Sequence, residues 1–264
     1  MRSPGIYSRL PIAAVLLVTT GCSTWYGPRI DAFDDGVETV VGANLTVWHF
    51  GHQPKEDVYG LAVAPIVPEV RSVTGVAAGL LLMGDEFTGL NVGVLDTDVD
   101  RLLGINVGGL RLHGESALDG INVGLVVGGG GAVRGITLAP LVFTPDRSSD
   151  LSGVHAGEAL GVSLAGALID YPFVTGLTAS GVLRAREVRG IGIGAVFTDV
   201  RDRVVGLSIG AVNRTKRLKG IQIGFLNRVA DRPWWCRWLP GLNVGWDDAE
   251  EDDDGDDGDV GDDD

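Results

Sequence analysis

Leu102-Leu103-Gly104-Ile105-Asn106-Val107-Gly108-Gly109-Leu110 and Leu218-Lys219-Gly220-Ile221-Gln222-Ile223-Gly224-Phe225-Leu226 are two clean copies of one nine-residue pattern: apolar, any, Gly, apolar, any, apolar, Gly, any, apolar. Its leading glycines fall at 60, 75, 89, 104, 120, 135, 176, 190, 206, 220 and 241, mostly 14 to 16 residues apart. A degenerate copy begins at Gly42, and a longer, irregular unit covers 151–167. A repeat at a fixed period means one structural unit stacked many times, so it decides the architecture before any other feature. It also points to an extended working surface rather than to one active site.

With the first glycine numbered zero, positions −2, 0, +2, +4 and +6 share one face of a strand, because side chains alternate. Position −2 is apolar in nearly every unit: Val58, Val73, Phe87, Leu102, Leu118, Val133, Val174, Val188, Val204 and Leu218 are examples. The opposite face carries Ile, Leu or Val at +1 and +3. No apolar period of 3.6 survives this glycine spacing, which excludes helices almost everywhere. The unit is symmetric about +2, so an antiparallel neighbour would set glycine opposite glycine. About six polar residues remain for each connection, as in Asp96-Thr97-Asp98-Val99-Asp100-Arg101, a length suited to hairpins. The expectation is therefore an all-β, antiparallel meander of about 12–13 short strands, curled or closed into a barrel-like sheet to remove its edges. The alternative is a β-solenoid. It needs two or more strands per coil, and the leftover residues look too polar to form the second.

The first residues read as an address. Arg2 and Arg9 precede the apolar run 10–18, and Thr19-Thr20-Gly21-Cys22-Ser23 follows. A basic start, a short apolar stretch and small residues make a secretory signal peptide over 1–21. The run is too short to span a bilayer, which takes about 20 residues. Cysteine directly after Gly21 is similar to a bacterial lipobox and marks Cys22 for lipidation. Thr19 departs from the leucine usual at its position in that motif. The expected domains are a 22–39 linker, a 40–246 tandem-repeat β domain and a 247–264 tail.

The copies at Gly104–Gly108, Gly120–Gly124 and Gly220–Asn227, together with the ending Leu239-Pro240-Gly241-Leu242-Asn243-Val244-Gly245-Trp246, resemble a bacterial family of Gly-Ile-Gln-Ile-Gly-type tandem surface-repeat lipoproteins. The resemblance covers roughly 58–246 and implies a lipid anchor and an outer-membrane or cell-surface location. It implies no chemistry.

The net charge of −14 is concentrated in the tail: 247–264 holds 13 acidic and no basic residues. Like charges repel and keep such a block unfolded, so the tail is expected to be disordered, dispensable for folding and open to proteases. It lacks an EF-hand frame, which leaves only weak, multi-ion Ca²⁺ association. The nearly neutral remainder lacks the basic footprint of a nucleic-acid binder.

Four motifs invite a catalytic or ligand-binding interpretation. Gly206-Leu207-Ser208-Ile209-Gly210 matches the nucleophile-elbow string, but it is one repeat unit, and no His follows it. Gly128–Gly131 and Gly190–Gly194 suggest phosphate loops, which require a following helix. They read instead as a hairpin tip and a strand. His49 and His52 fall short of the three or four ligands zinc needs, and His113 and His155 lie in other repeats. Trp234, Trp235, Trp238 and Trp246 around Cys236 read as a cap over the last strand, or as an aromatic contact patch for membrane or glycan.

No cofactor or metal is called for. The expected function is non-enzymatic: an envelope-anchored repeat lipoprotein with a scaffolding, surface-coat or partner-binding role, attached to the membrane through its lipid, with a protein or glycan partner. The alternative is an outer-membrane β-barrel with a transport or pore role.

Overall fold

The computed structural model describes residues 24–31, 38–46, 56–65, 69–145 and 157–246. All of its regular structure is β: β1 (Thr24–Asp31), β2 (Thr39–Thr46), β3 (Asp57–Ala64), β4 (Glu69–Gly129), β5 (Ala132–Ala139), β6 (Val142–Pro145), β7 (Glu158–Ala165), β8 (Leu168–Asp170), β9 (Phe173–Val229) and β10 (Trp238–Trp246). The very long β4 and β9 are unbroken extended chain winding through several coils. Pairing is parallel from β1 to β9, with glycine on glycine: Gly27 on Gly42, Gly42 on Gly60, Gly60 on Gly75, Gly120 on Gly135, Gly135 on Gly161 and Gly161 on Gly176. The fold is a parallel β-solenoid in which each repeat adds one rung, and the expected antiparallel meander, curled or closed like a barrel, is overturned.

Two physical facts account for the correction. The symmetry about +2 is compatible with either strand direction and so decides nothing. The polar connection, in turn, is itself a strand. In Asp96-Thr97-Asp98-Val99-Asp100, Thr97 and Val99 are buried while Asp98 and Asp100 point outward. Val200 and Val229 fill the same side of their own coils. This second side needs only one or two small or apolar residues facing inward, so it looks like a loop by composition.

The core is narrow and built from columns. Position −2 is sealed all along the solenoid, from Val40, Val58 and Val73 through Phe87, Leu102 and Leu118 to Val188, Val204 and Leu218. Position +2 is sealed beside it. Position +6, expected on the same face, points outward: Leu95, Leu110, Leu141 and Val196 are exposed. The chain bends between +4 and +7, and the small residue at +4 permits it. A Cβ on Gly108 would meet the Arg111 carbonyl and the Leu112 Cβ of the same coil, and one on Gly194 would meet the Thr198 hydroxyl.

Position zero is the most constrained. Gly104 and Gly120 have φ of +115° and +113°, a region that L side chains rarely adopt. A Cβ at Gly104 would overlap the carbonyl oxygen of Gly89, and one at Gly120 that of Gly104. The same relation runs down the column from Gly42 to Gly220.

The long unit beyond Gly135 keeps this register at Gly161, and its extra chain is absorbed locally. β6 pairs with the end of β4, and β8 bridges β6 and β9. Tyr171 locks the insertion: its ring stacks on Phe143 at 4.4 Å, and its hydroxyl donates to the Gly129 carbonyl at 2.9 Å. Burial pushes its phenol above the ordinary range. Gly128–Gly130 are consequently buried at a coil corner rather than forming a hairpin tip.

The ends differ. β1, within the stretch expected as a linker, stacks on β2 and forms the first rung. At the other end β10 turns back antiparallel on β9, with Gly241 opposite Gly224 and Gly245 opposite Gly220. Reversing the last strand ends the parallel stack and covers an edge that would otherwise recruit further strands.

Gly104→Ala is expected to cost about 3 kcal/mol or more, combining about 1–3 for the backbone strain with a similar penalty for the overlap. Gly27 has φ of +105° and no heavy atom within 4 Å of an added Cβ, so Gly27→Ala should cost less. Urea unfolding of the two variants measures the difference; equal losses would mean that stacking places no demand on the column.

Candidate functional site

The interior offers polar ladders rather than a reaction centre. Asn91 donates its side-chain amide to the Asn106 carbonyl oxygen at 2.8 Å, and Asn106 donates to Asn122 at 2.8 Å. All three are buried at position +2. Parallel stacking places like residues directly above one another, so each amide donates to the next coil. The column changes to Ala77 on one side and Thr137 on the other, and there the Asn91 oxygen and the Asn122 nitrogen lack a hydrogen bond. Near the first rungs, Glu56 accepts from Arg29 at 3.0 Å and from Asn44 at 3.2 Å, a buried ionic version of the same ladder. Near the last, Asn213 donates to Asn227 at 2.7 Å, and Asn227 donates to the Gly241 carbonyl at 3.0 Å.

The tempting motifs resolve within this frame. Ser208 is buried and its hydroxyl lies 3.3 Å from the Asn213 side-chain oxygen, so it is a rung of the polar column. Gly190–Gly194 is strand, within β9. His113 is buried in the core, and the described residues contain no group of three or more His, Cys, Asp or Glu able to hold a metal. His49, His52 and His155 lie outside the described residues, as do Cys22 and the acidic tail.

The surface divides sharply. Between positions zero and +6, as in Gly89–Leu95, Gly104–Leu110, Gly120–Val126, Gly190–Val196 and Gly220–Leu226, no unit from Gly75 to Gly220 contains a charged residue. Their outward side chains are apolar, and Leu90, Val94, Ile105, Leu110, Ile121, Ile136, Ile191 and Val196 are 39–64% exposed. Parallel register aligns these columns into one continuous face. The remaining surface is charged and cross-linked from coil to coil, as in Arg101–Glu86 at 3.8 Å, Arg111–Asp96 at 3.7 Å and Arg214–Asp199 at 3.9 Å. Such exposed pairs contribute little individually, about 0–1 kcal/mol, but they show which side is wet.

Two features of this surface are not apparent in the sequence reading. The first is that the Ile/Val positions +1 and +3 face outward and join +5 and +6. The second is a charge asymmetry along the axis. Residues 56–145 carry ten acidic and four basic residues, net −6, whereas 157–246 carry six and twelve, net +6. Splitting the body charge at the midpoint would have revealed it. At the reversed end the tryptophans do not close the core: Trp234, Trp235 and Trp246 are 83%, 71% and 83% exposed, beside Phe225 at 85%. The cap is the β10 backbone, and the aromatic rings lie exposed at that end.

No family model matches this chain, and no curated protein and no solved structure is similar to it.

Asn106→Ala would leave the Asn91 donor and the Asn122 acceptor unpaired inside the core. The expected loss is about 1–3 kcal/mol by urea unfolding, the cost of abandoning buried polar partners. A neutral result would show that the amide ladder adds nothing to coil stacking.

Proposed function

We propose that this chain is a non-enzymatic, envelope-anchored lipoprotein whose β-solenoid serves as a scaffold or partner-binding surface. The observation that carries the reading is the uncharged strand face repeated on rung after rung. Monomeric soluble proteins rarely expose a contiguous apolar patch beyond about 300–600 Å² unless it binds something. Surface exposure of Leu, Ile and Val in every coil stabilises nothing by itself, so its persistence through the repeat favours a binding role.

The lipid anchor supplies the location. Cys22 lies two residues before Thr24, where β1 begins. Diacylation there would hold the first rung within a few ångströms of the bilayer, with attachment supplied by buried methylenes at about 0.8 kcal/mol each. No helix among the described residues is long and apolar enough to cross a membrane. The body is then a rod attached at its first coil, with the acidic tail following its last.

Cys22→Ser is expected to move the full chain from the membrane pellet to the soluble fraction, and radiolabelled palmitate should be incorporated only by the unaltered protein. A Cys22→Ser variant that still pellets with the outer membrane after mild alkaline extraction would show that lipid is not the attachment.

A further inference from the structure

We infer that the acidic tail, residues 247–264, is held against the basic surface of the last coils, so that a segment of the same chain occupies that surface. The contact lies on the charged side of the solenoid and is independent of the apolar face.

The last coils carry positive charge that their own carboxylates do not match. Residues 184–237 hold twelve basic and four acidic residues, net +8. Glu187 pairs with Arg189 at 2.9 Å, Asp199 with Arg214 at 3.9 Å and Asp202 with Arg186 at 3.9 Å. Asp170 is the Cα partner of Arg184, and the Asp231 backbone N–H donates to the Lys216 carbonyl across one rung. Among the described residues, no carboxylate forms an ion pair with Arg201, Arg203, Lys216 or Arg217. Arg203 and Arg217 both stand at −3, before the stacked Gly206 and Gly220, which places them on adjacent strands. Arg201, Arg214 and Lys216 line one groove of about 500 Å³, together with Asp199 and Asp231. Like charges on neighbouring strands are destabilising. Earlier coils alternate in sign instead, as in Glu86 with Arg101, Asp96 with Arg111 and Asp119 beside Arg134. An anion laid over the last coils would remove the repulsion there.

The same end of the rod supplies the anion. β10 runs antiparallel to the strand of Gly220, with Gly245 opposite Gly220 and Trp246 opposite Lys219. Its direction carries the chain beyond Trp246 from Lys219 toward Arg217 and Lys216. Thirteen acidic residues and no basic one follow within 247–264. Eighteen residues can reach about 60 Å when extended, whereas β10 and the coil of Arg184 are three rungs apart, about 14 Å. Repulsion unfolds such a block by itself; cations beneath it relieve that repulsion without requiring a fold in the tail.

Two other anionic occupants match the sign of this surface: the acidic half of a second copy and the phosphates of a lipid surface. Covalent attachment favours the tail, because a directly linked segment acts at an effective concentration on the order of millimolar. With the tail in place, residues 184–264 are net −5, which turns other anions away.

The test is zero-length carbodiimide cross-linking of the full chain, which joins carboxylates to lysine amines in direct contact. The chain has three lysines, Lys55, Lys216 and Lys219. Links from Lys219 to Asp247 or Asp248 follow from chain connection alone, so only Asp252 and the residues after it are scored. Lys216 is expected to link to these within one chain at low salt. The yield should fall about tenfold between about 0.01 M and about 1 M salt, as the Debye length shrinks from about 30 Å to about 3 Å. Arg201→Gln/Arg203→Gln/Arg217→Gln should lower it several-fold, while Arg101→Gln, in the acidic half, should leave it unchanged. The salt series uses the unaltered protein, so it decides even where a variant fails to fold. A yield independent of salt would mean that the tether alone brings the tail near, and would overturn the inference. So would the absence of any scored link. Links from Lys216 to an isotope-labelled second copy would assign the surface to a dimer. Links abolished by phosphatidylethanolamine–phosphatidylglycerol vesicles would assign it to lipid.

Discussion

One contact recurs through the fold: the α-carbon of a positive-φ glycine resting on the carbonyl of the glycine one coil below. At Gly104 and Gly120 the backbone conformation excludes an L side chain, and the space for one is already taken by the oxygen beneath. This column sets the register of every coil, and register in turn places Asn91 above Asn106 and Leu102 above Leu118. A unit of 14 to 16 residues can therefore vary in length without losing step. The excess is absorbed on the second side of the coil, and the glycine restores alignment at the next rung. The insertion before Gly161 is the extreme case, closed by Tyr171 stacking on Phe143.

The repeat, its strand character and the glycine positions are all legible in the sequence. The hand of the pairing is not, because Gly-Ile-Asn-Val-Gly is a palindrome in residue type and reads alike in both directions. The second strand of the coil is concealed for a related reason. Asp96, Asp98 and Asp100 dominate its composition, while Thr97 and Val99 alone carry its burial. Alternation over five residues was present, but the polar majority suggested a hairpin loop. The crowding at +4 comes from the bend of its own coil and from the carbonyl of the coil below, as at Gly108 and Gly224.

The candidate surface follows from the same geometry. Alternation alone assigns +1 and +3 to one side, but only the bend after +4 adds +6 to them and makes a wide face. Leu110 and Val196 were expected beside the core residue at −2, and both are exposed. The polar slot at +2 went the other way: Asn106 and Gln222 are fully buried. A solenoid this thin has room inside for one polar column and one apolar column per side, so the remaining aliphatic residues must lie outside. Core and binding face are therefore built from the same repeat, and a change in a single unit alters one rung of each.

The central claim is parallel stacking in register, and it can be measured directly. Asp119 and Arg134 both stand at −1 and are paired Cα partners of adjacent coils. Nitroxides on Asp119→Cys and Arg134→Cys, in a Cys236→Ser background, should show strong dipolar broadening, as expected for neighbouring strands about 5 Å apart. In an antiparallel sheet centred on +2, the two sites would be about six residues out of step, or roughly 20 Å apart. A doubly labelled spectrum equal to the sum of the single-label spectra would contradict the solenoid.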